Sequence, residues 1–469
     1  MRIAGSWRVV AVLALAVAVV AVPQARQARQ VSLVVSGGIV VPVDGTGRVL
    51  SPGSVAIDGT RIVAVGPAAE IAAAYQAAET IDATGRVVIP GLINTHTHAP
   101  MVLYRGLADD LALMDWLQNY IFPAEAKTVS PEFVRVGTRL AALEMIRTGT
   151  TTFTDMYYFE EDIAREAKRA GLRGVLGQTV IQFPVADAKT PAEALARAER
   201  FIKAFKGDPL ITPAVAPHAT YTLDPDTLRA TRDLAMREGV PLLIHVAETQ
   251  DEVKMLEEKY GKRPVGFLDS IGFWGPRIVA AHGVWVNDEE IQVLKAHDVG
   301  IAHNPESNMK LASGTAPVPA YLAAGVAVGL GTDGAASNND LDMFEAMRQA
   351  AFVHKLVRMD PRVVSARDAL EMATIGGARV LGREQDLGSL EAGKLADLIV
   401  VRMDRPGQTP MYDPVSHLVY TTHGDDVETT IVNGQVLMRD RVVRTLDAPA
   451  VLAEARRAAE AVRKAVAPQ

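Results

Sequence analysis

Of the ten histidines in this 469-residue chain, six close short apolar runs: His96, His98, His218, His245, His282 and His303. Imidazole is the commonest protein ligand for zinc, iron, copper and nickel. One histidine ending an apolar run is more often a hydrogen-bonded core residue, but six in comparable positions point to a site. The strongest unit is His96-Thr97-His98. Residues two apart on a strand share a face, so both rings can address one ion. The segment His245-Val246-Ala247-Glu248 offers a third ligand and, just beyond it, a carboxylate able to shuttle protons beside an activated water. Gly331-Thr332-Asp333-Gly334 adds an acidic ligand. Three imidazoles and a carboxylate with an open position suit a divalent ion that acidifies water to about pKa 7. Zinc is the first candidate and iron the second. A single ion is expected, because His218 rather than a bridging lysine ends the fourth run. Plainer readings stand beside these: Glu248 as a solvated neighbour of a helix cap, Asp333 as a turn aspartate before glycine.

The remaining groups read as substrate contacts or as support. His218 and His282 can donate or accept at the mouth of the site, and His282 can orient a hydroxide or satisfy a core hydrogen bond. His303, in HNPESN, is as readily structural as ligand-contacting, and Asp155 can support the ligands from behind. Glu125 sits in IFPAEAK, on a stretch read as a loop rich in apolar and aromatic residues such as Trp116, Tyr120 and Phe122. By itself it reads as a surface charge.

These residues need a frame that brings distant segments together. From Val31 to about Val88 the chain reads as short strands with Gly, Pro and Asp turns, interrupted by an Ala-rich helical stretch from Ala68 to Ala78. Then strand-length apolar runs alternate with helix-periodic segments such as Pro131–Arg147 and Asp251–Tyr260. Eight runs can be counted: Val87–His96, Thr150–Met156, Arg173–Ile181, Ile211–His218, Pro241–Glu248, Arg277–Val284, Gly300–Ser307 and Gly325–Asp333. Eight β/α units of this spacing fit a closed (β/α)8 TIM barrel, whose active site lies at the C-terminal ends of the strands. In such a barrel the eighth strand neighbours the first, returning Asp333 to the histidine pair. An open doubly wound sheet is the alternative. Short-strand texture returns after the barrel. The expected organisation is therefore a barrel over 89–387, a small composite β-sandwich from 31–88 plus 388–445, and a C-terminal helix within 446–469.

Composition narrows the partners. The chain has 48 Lys+Arg against 55 Asp+Glu, a formal charge of −7, and lacks any basic run of five or more, which argues against nucleic acid as a main partner. With no cysteine, a disulfide scaffold, a thiolate nucleophile and Cys-ligated metal are excluded, including the P-C-x-x-C zinc centre of one class of nucleobase deaminase. Arg2 and Arg8 precede an uncharged Ala/Val/Leu stretch that breaks at Pro23. Residues 1–25 read as a secretory signal peptide, implying export, in the first instance to a periplasm, and no stable membrane association after cleavage. An uncleaved anchor, or a misassigned start with a cytoplasmic protein, are the other readings. A homo-oligomer is left open.

The segments PGLINTHTH, IFPAE, TFTDMY, APHATY, HVAET, AAHGV, HNPESNMKLASG and GTDGAASNNDLDMF, with MATIGGARVLG and GSLEAGKLADLIV, resemble the metal-dependent amidohydrolase superfamily. The resemblance runs from about residue 31 to 440. It is closer to the 5'-methylthioadenosine/S-adenosylhomocysteine deaminases, near the triazine-hydrolase-like and guanine deaminase branches. It implies that His96, His98, His245 and Asp333 bind the metal, and that Asp333 accepts a proton. It further implies that Glu248 protonates a ring nitrogen, that His282 holds the attacking hydroxide, and that Glu125 binds ribose hydroxyls. His218 would contact a purine nucleoside, with Trp116 and His303 as further substrate contacts. Members that accept the homocysteine tail carry arginines around and after the third strand. Here GQTVIQFPVAD stands there, with no basic residue before Lys189, so methylthioadenosine or adenosine is expected ahead of the carboxylate-bearing substrate. Hydrolysis of another C–N bond, in guanine, a triazine, an amide or a cyclic ureide, is the alternative. A non-catalytic binding barrel is the lesser one.

Overall fold

β-Branched runs punctuated by Gly, Pro and Asp fold as their texture predicts. In the computed structural model, which describes Gly5 and residues 28–467, they form β1 (Arg29–Val40), β2 (Leu50–Asp58), β3 (Arg61–Pro67), β4 (Tyr75–Asp82) and β5 (Arg86–Pro90). The barrel strands follow: β6 (Leu92–Thr97), β7 (Thr150–Tyr157), β8 (Arg173–Val180), β9 (Ile211–Pro217), β10 (Leu242–Val246), β11 (Ile278–His282), β12 (Gly300–His303) and β13 (Val328–Leu330). The chain then returns to the small sheet as β14 (Leu398–Arg402), β15 (Val427–Val432), β16 (Gln435–Arg439) and β17 (Val442–Val443). The leader expected over residues 1–25 lies outside the described residues. Among those described, no helix is long and apolar enough to cross a membrane.

The small sheet joins both ends of the chain. Its order is β17-β16-β15-β14-β5-β1-β2-β3, with β4 also paired to β1, and the antiparallel β5–β14 pair is the seam between the two segments. Leu33, Val35, Ile57, Ile81, Leu398, Val400 and Ile431 share one apolar cluster across that seam. The helix expected over Ala68–Ala78 ends at Ala74, because parallel pairing with β1 draws Tyr75–Ala77 into β4.

The eight barrel strands are parallel and adjacent in chain order, with helices between them. Residues of β6, β7 and β8 are buried along their whole length, as strands covered on both faces must be. Closure between β13 and β6 uses side chains. Thr95 Oγ1 donates to the Leu330 carbonyl (2.8 Å), Asn94 Nδ2 to Thr332 Oγ1 (2.7 Å), and the Thr332 amide to Asn94 Oδ1 (3.1 Å). The Asp333 amide then donates to the His96 carbonyl (3.0 Å).

The run Val87–His96 is two strands, not one. At Gly91 the chain changes partner: the Gly91 amide donates to the Asp397 carbonyl (3.0 Å) and the Leu92 amide to that of Gly149 (3.1 Å). A Cβ at Gly91 would lie 2.1 Å from Thr151 Oγ1, so only glycine passes here. The seventh strand stops at His303 rather than Ser307, since Pro305 opens a helix, Pro305–Lys310. The stretch between β6 and helix Pro131–Thr148 is helical rather than a loop. It holds a 3-10 turn (Ala99–Tyr104), a π-helical turn (Trp116–Ile121) and the helix Phe122–Thr128.

A buried ion pair fastens the small sheet to the barrel. Arg173, at the start of β8, is 1% exposed and grips Asp397 through Nε (3.0 Å) and Nη2 (3.1 Å). Asp397 Oδ1 also accepts from the Asn433 amide (2.7 Å) in the turn between β15 and β16. Removing one member leaves a buried charge without its partner. Asp397→Ala should therefore cost about 3–5 kcal/mol in denaturant-induced unfolding. A loss within about 0.5 kcal/mol, the range of an ordinary surface change, would show that the pair does not hold the two parts together.

Candidate active site

Several strand ends contribute side chains to the barrel mouth. His96 lies on β6 and His98 one residue past its end, His245 on β10, and His282 ends β11. Backbone in the left-handed region turns three segments inward: Ala247 (φ 52°), His282 (φ 73°) and Asp333 (φ 63°). Non-glycine residues rarely adopt this conformation, and it clusters at functional sites.

The ligand atoms converge. One nitrogen from each of His96, His98 and His245 fall within 4.8 Å of one another, as do one ligand atom from each of His96, His282 and Asp333. His98 Nε2 lies 3.3 Å from His245 Nε2 and 3.3 Å from Asp333 Oδ1, and His96 Nε2 lies 3.5 Å from the same oxygen. Two ligands bound tetrahedrally at about 2.0–2.1 Å from one ion stand about 3.3–3.4 Å apart, so the spacing fits a shared divalent cation. Two further observations fit it. His98 Nδ1 donates to the Met156 carbonyl (2.7 Å) and His245 Nδ1 to that of His218 (2.6 Å), which leaves two bare Nε2 lone pairs facing each other. His96 Nε2 is buried without a hydrogen-bond partner.

Electrostatics agree with the geometry. Burial, reinforced by the neighbouring imidazoles, holds His245 well below the ordinary histidine range. Burial also lowers His96, although Asp333 opposes it. Both are neutral, as ligands must be. At His98 burial is outweighed by the Asp333 hydrogen bond and charge, with help from Asp155, and the pKa rises to about 9. The cluster thus takes up one positive charge even as a bare proton. Burial would raise Asp333, but the His96 and His98 rings against its Oδ1 hold it well below the carboxylate range. Ser307 Oγ donates to Asp333 Oδ2 (2.7 Å) and the Gly334 amide to Oδ1 (2.7 Å). Asp155 receives the Ala99 amide on both oxygens (2.9 and 3.2 Å), which braces the turn after His98.

Glu248 is 4% exposed and has no cation beside it. Burial first, then the charges of Asp333 and Glu252, push its pKa well above the usual carboxylate range, which favours the protonated form. Its amide is fixed by Glu252 Oε2 (2.8 Å), and its carboxyl lies 3.7 Å from His282 Nε2. Burial holds His282 down at about 3 and His218 likewise at about 3, so both rings are neutral.

A cavity of about 590 Å³ opens over this cluster, lined by His98, Trp116, Glu125, His218, His245, Glu248, His282 and Asp333 among others. Glu125 departs from its reading as a surface charge. It is 7% exposed on helix Phe122–Thr128, receives the Tyr157 hydroxyl at 2.6 Å, and is pushed by burial up to about 7. The Trp116 indole N–H is buried at the cavity without a partner. His303 is the correction among the expected substrate contacts: it does not line the cavity. Its Nε2 lies 3.0 Å from His354 Nε2, on helix Met343–Arg358, in a buried imidazole pair. Sequence reasoning passed over Asn304, Ser307 and Asn308, which follow it. Asn304 and Ser307 read as part of the run Gly300–Ser307 and carry no role there, yet Ser307 binds Asp333 and the Asn304 and Asn308 amide groups approach His282 Nδ1 (3.4 and 2.9 Å).

Comparison with known proteins agrees with this arrangement. The model of the amidohydrolase family matches residues 87–437. A 5-methylthioadenosine/S-adenosylhomocysteine deaminase of Syntrophobacter fumaroxidans is 48% identical over 92% of this chain and 98% of its own. A 5'-deoxyadenosine deaminase of Methanosarcina mazei is 44% identical over 91% of this chain and 98% of its own. The crystal structure of an adenosine deaminase from Xanthomonas campestris with bound zinc superposes with a TM-score of 0.92 at 39% identity, covering 93% of this chain and all of that one. With its (β/α)8 barrel, its histidine–aspartate cluster and a family match over three quarters of its length, the chain belongs to the amidohydrolase family, hydrolases acting on C–N bonds.

Proposed function

We propose that the protein deaminates the adenine ring of adenosine-type nucleosides by hydrolysis, with zinc as its cation. The observation that carries this reading is the pair Glu248 and Asp333, two buried carboxyl groups lining one cavity, the first pushed up by burial and the second held down by its neighbouring imidazoles. Two carboxyl groups driven apart in pKa are an acid and a base. The relatives named above as methylthioadenosine and 5'-deoxyadenosine deaminases support the substrate class.

Held by His96, His98, His245 and Asp333, a divalent cation supplies water acidified to about pKa 7. Asp333 accepts the water proton as the new C–O bond forms at C6 of the ring. Glu248 donates its proton to the adjacent ring nitrogen, so negative charge does not build up there. His282 holds the attacking oxygen by hydrogen bonding. The proton on Asp333 then passes to the amino group, the C6–N bond breaks, ammonia leaves, and the C6 hydroxyl proton returns to Glu248 as the ring carbonyl forms. Trp116, with its unpaired N–H, and the Phe122, Tyr157 and Tyr158 rings wall the cavity against water. In this reading Glu125, which lines the cavity, accepts the ribose hydroxyls.

A second cleft of about 500 Å³ meets the cavity at Phe122, Glu125 and Tyr158 and is lined by Phe183, Pro184, Val185 and Lys189. Phe183, Pro184 and Val185 suit a methylthio group, and Gln178, on the third barrel strand, is engaged with Asp187 (2.9 Å). The leader read from the sequence supports an exported enzyme that meets nucleosides outside the cell.

With zinc, methylthioadenosine and adenosine should release ammonia with the adenine-to-hypoxanthine absorbance change, ahead of S-adenosylhomocysteine and guanine. Glu248→Gln should keep its metal and lose about 10²–10⁴-fold in turnover. Ammonia from guanine alone, or undiminished turnover in Glu248→Gln, would contradict the reading.

Glu125 sets a pH dependence. It accepts ribose hydroxyls as a carboxylate, and burial holds its pKa at about 7. Riboside KM should therefore fall as pH rises through about 7 and level off above it, while Glu125→Gln shows no such fall. An identical KM profile in the variant, measured by steady-state kinetics, would remove Glu125 from ribose binding.

A further inference from the structure

Between Phe183 and Ala188 the only polar side chain is that of Asp187. This stretch joins β8 to helix Pro191–Phe205, and Phe183, Pro184, Val185 and Ala186 form one wall of the second cleft. The wall itself has little to hold it. Phe183 is 38% exposed and meets Phe122 edge-on, with ring centroids 5.2 Å apart. Asp187 points into the protein instead. Its side chain is 0% exposed, and its Oδ2 receives the Phe159 amide at 2.8 Å. The same oxygen lies 3.2 Å from Arg197 Nε and 2.9 Å from the Gln178 side-chain amide. A backbone N–H and a guanidinium can only donate, so the anchor holds however the Gln178 amide is turned. Arg197 is fixed in its turn: it pairs with Glu161 and lies over the Phe159 ring, 4.9 Å from the centroid. Phe159 has left-handed backbone (φ 56°) and follows Tyr157 and Tyr158, which line the catalytic cavity. One carboxylate thus ties the wall of the cleft to the turn that walls the cavity.

We propose that Asp187 is a positioning residue that fixes the 183–188 wall and so sets the preference for a substituent on the 5' carbon of the nucleoside. The inference rests on the deaminase reading of the site and on the second cleft as the place of that substituent. Methylthioadenosine presents a methylthio group to Phe183, Pro184 and Val185. Adenosine, with a hydroxyl at the same carbon, has no apolar group to set against them. Loosening the wall therefore weakens the first substrate and spares the second, and the reacting groups at the metal end of the cavity are untouched.

The test compares Asp187→Ala with the unmutated, zinc-loaded, full-length enzyme. KM for methylthioadenosine should rise about 10-fold, the low end of what one methylene-sized apolar contact contributes, with kcat little changed. Both constants for adenosine should hold. Asp187→Asn keeps an acceptor for the Phe159 amide and loses only the charge facing Arg197, so it should show a smaller rise of the same kind. Without substrate, trypsin should cut after the exposed Lys189 faster in Asp187→Ala, because a segment released from its anchor opens locally. Equal KM rises for the two nucleosides, an unchanged KM for methylthioadenosine, or an unchanged cutting rate would each overturn the proposal. If neither nucleoside is deaminated by the unmutated enzyme, the substrate reading fails, and the cutting rate alone decides whether Asp187 anchors the wall.

Discussion

Two imidazole lone pairs aimed at one another across 3.3 Å, with an ionised carboxylate against one of them, cannot rest without positive charge between them. That constraint organises the barrel mouth. His98 and His245 have each committed Nδ1 to a backbone carbonyl, so neither ring can turn to relieve the contact. Asp333 is tied to His96 by a backbone hydrogen bond, and its Oδ1 lies 3.5 Å from His96 Nε2. A divalent cation held by this set would join the first, fifth and eighth barrel strands and brace the β13–β6 closure, which rests on Asn94, Thr95 and Thr332.

The site is assembled at a cost. Left-handed backbone at Ala247, His282 and Asp333 costs of order 1–3 kcal/mol each, and Glu248 is buried with no cation to neutralise it. Packing elsewhere offsets this: the Arg173–Asp397 pair beneath the barrel, strands buried along their full length, and the C-terminal helix Ala448–Val466, held by Arg139 to Glu454 (2.7 Å). The helical excursion after β6 covers the mouth with Trp116, Phe122 and Glu125. A carboxyl there titrates near neutrality because the aromatic wall keeps water away from it.

The frame was largely legible in the sequence, because fully buried parallel strands leave apolar runs and the crossover helices leave periodicity. The eight runs and the terminal helix Ala448–Val466 stand where that pattern put them. Where the pattern misled, a competing constraint acted. Gly91 split one apolar run between two sheets, and Pro305 cut another short. The ligand cluster was legible because strand alternation fixes where His96 and His98 point. Glu125 was not, since burial of a lone carboxylate depends on how the short helices between β6 and helix Pro131–Thr148 fold back over the barrel mouth. His303 shares its strand-end position with true cavity residues, and only its distant partner His354 reveals that it faces the helices. Asn308 carries no signal of its own, because its meaning lies in the ring it touches.

Anomalous diffraction at the zinc edge, from crystals grown with zinc, tests the central claim most directly. The account predicts one peak per chain, about 2.0–2.2 Å from Nε2 of His96, His98 and His245 and from an oxygen of Asp333. A peak bound to only one of these groups, or none in the barrel mouth, would contradict it.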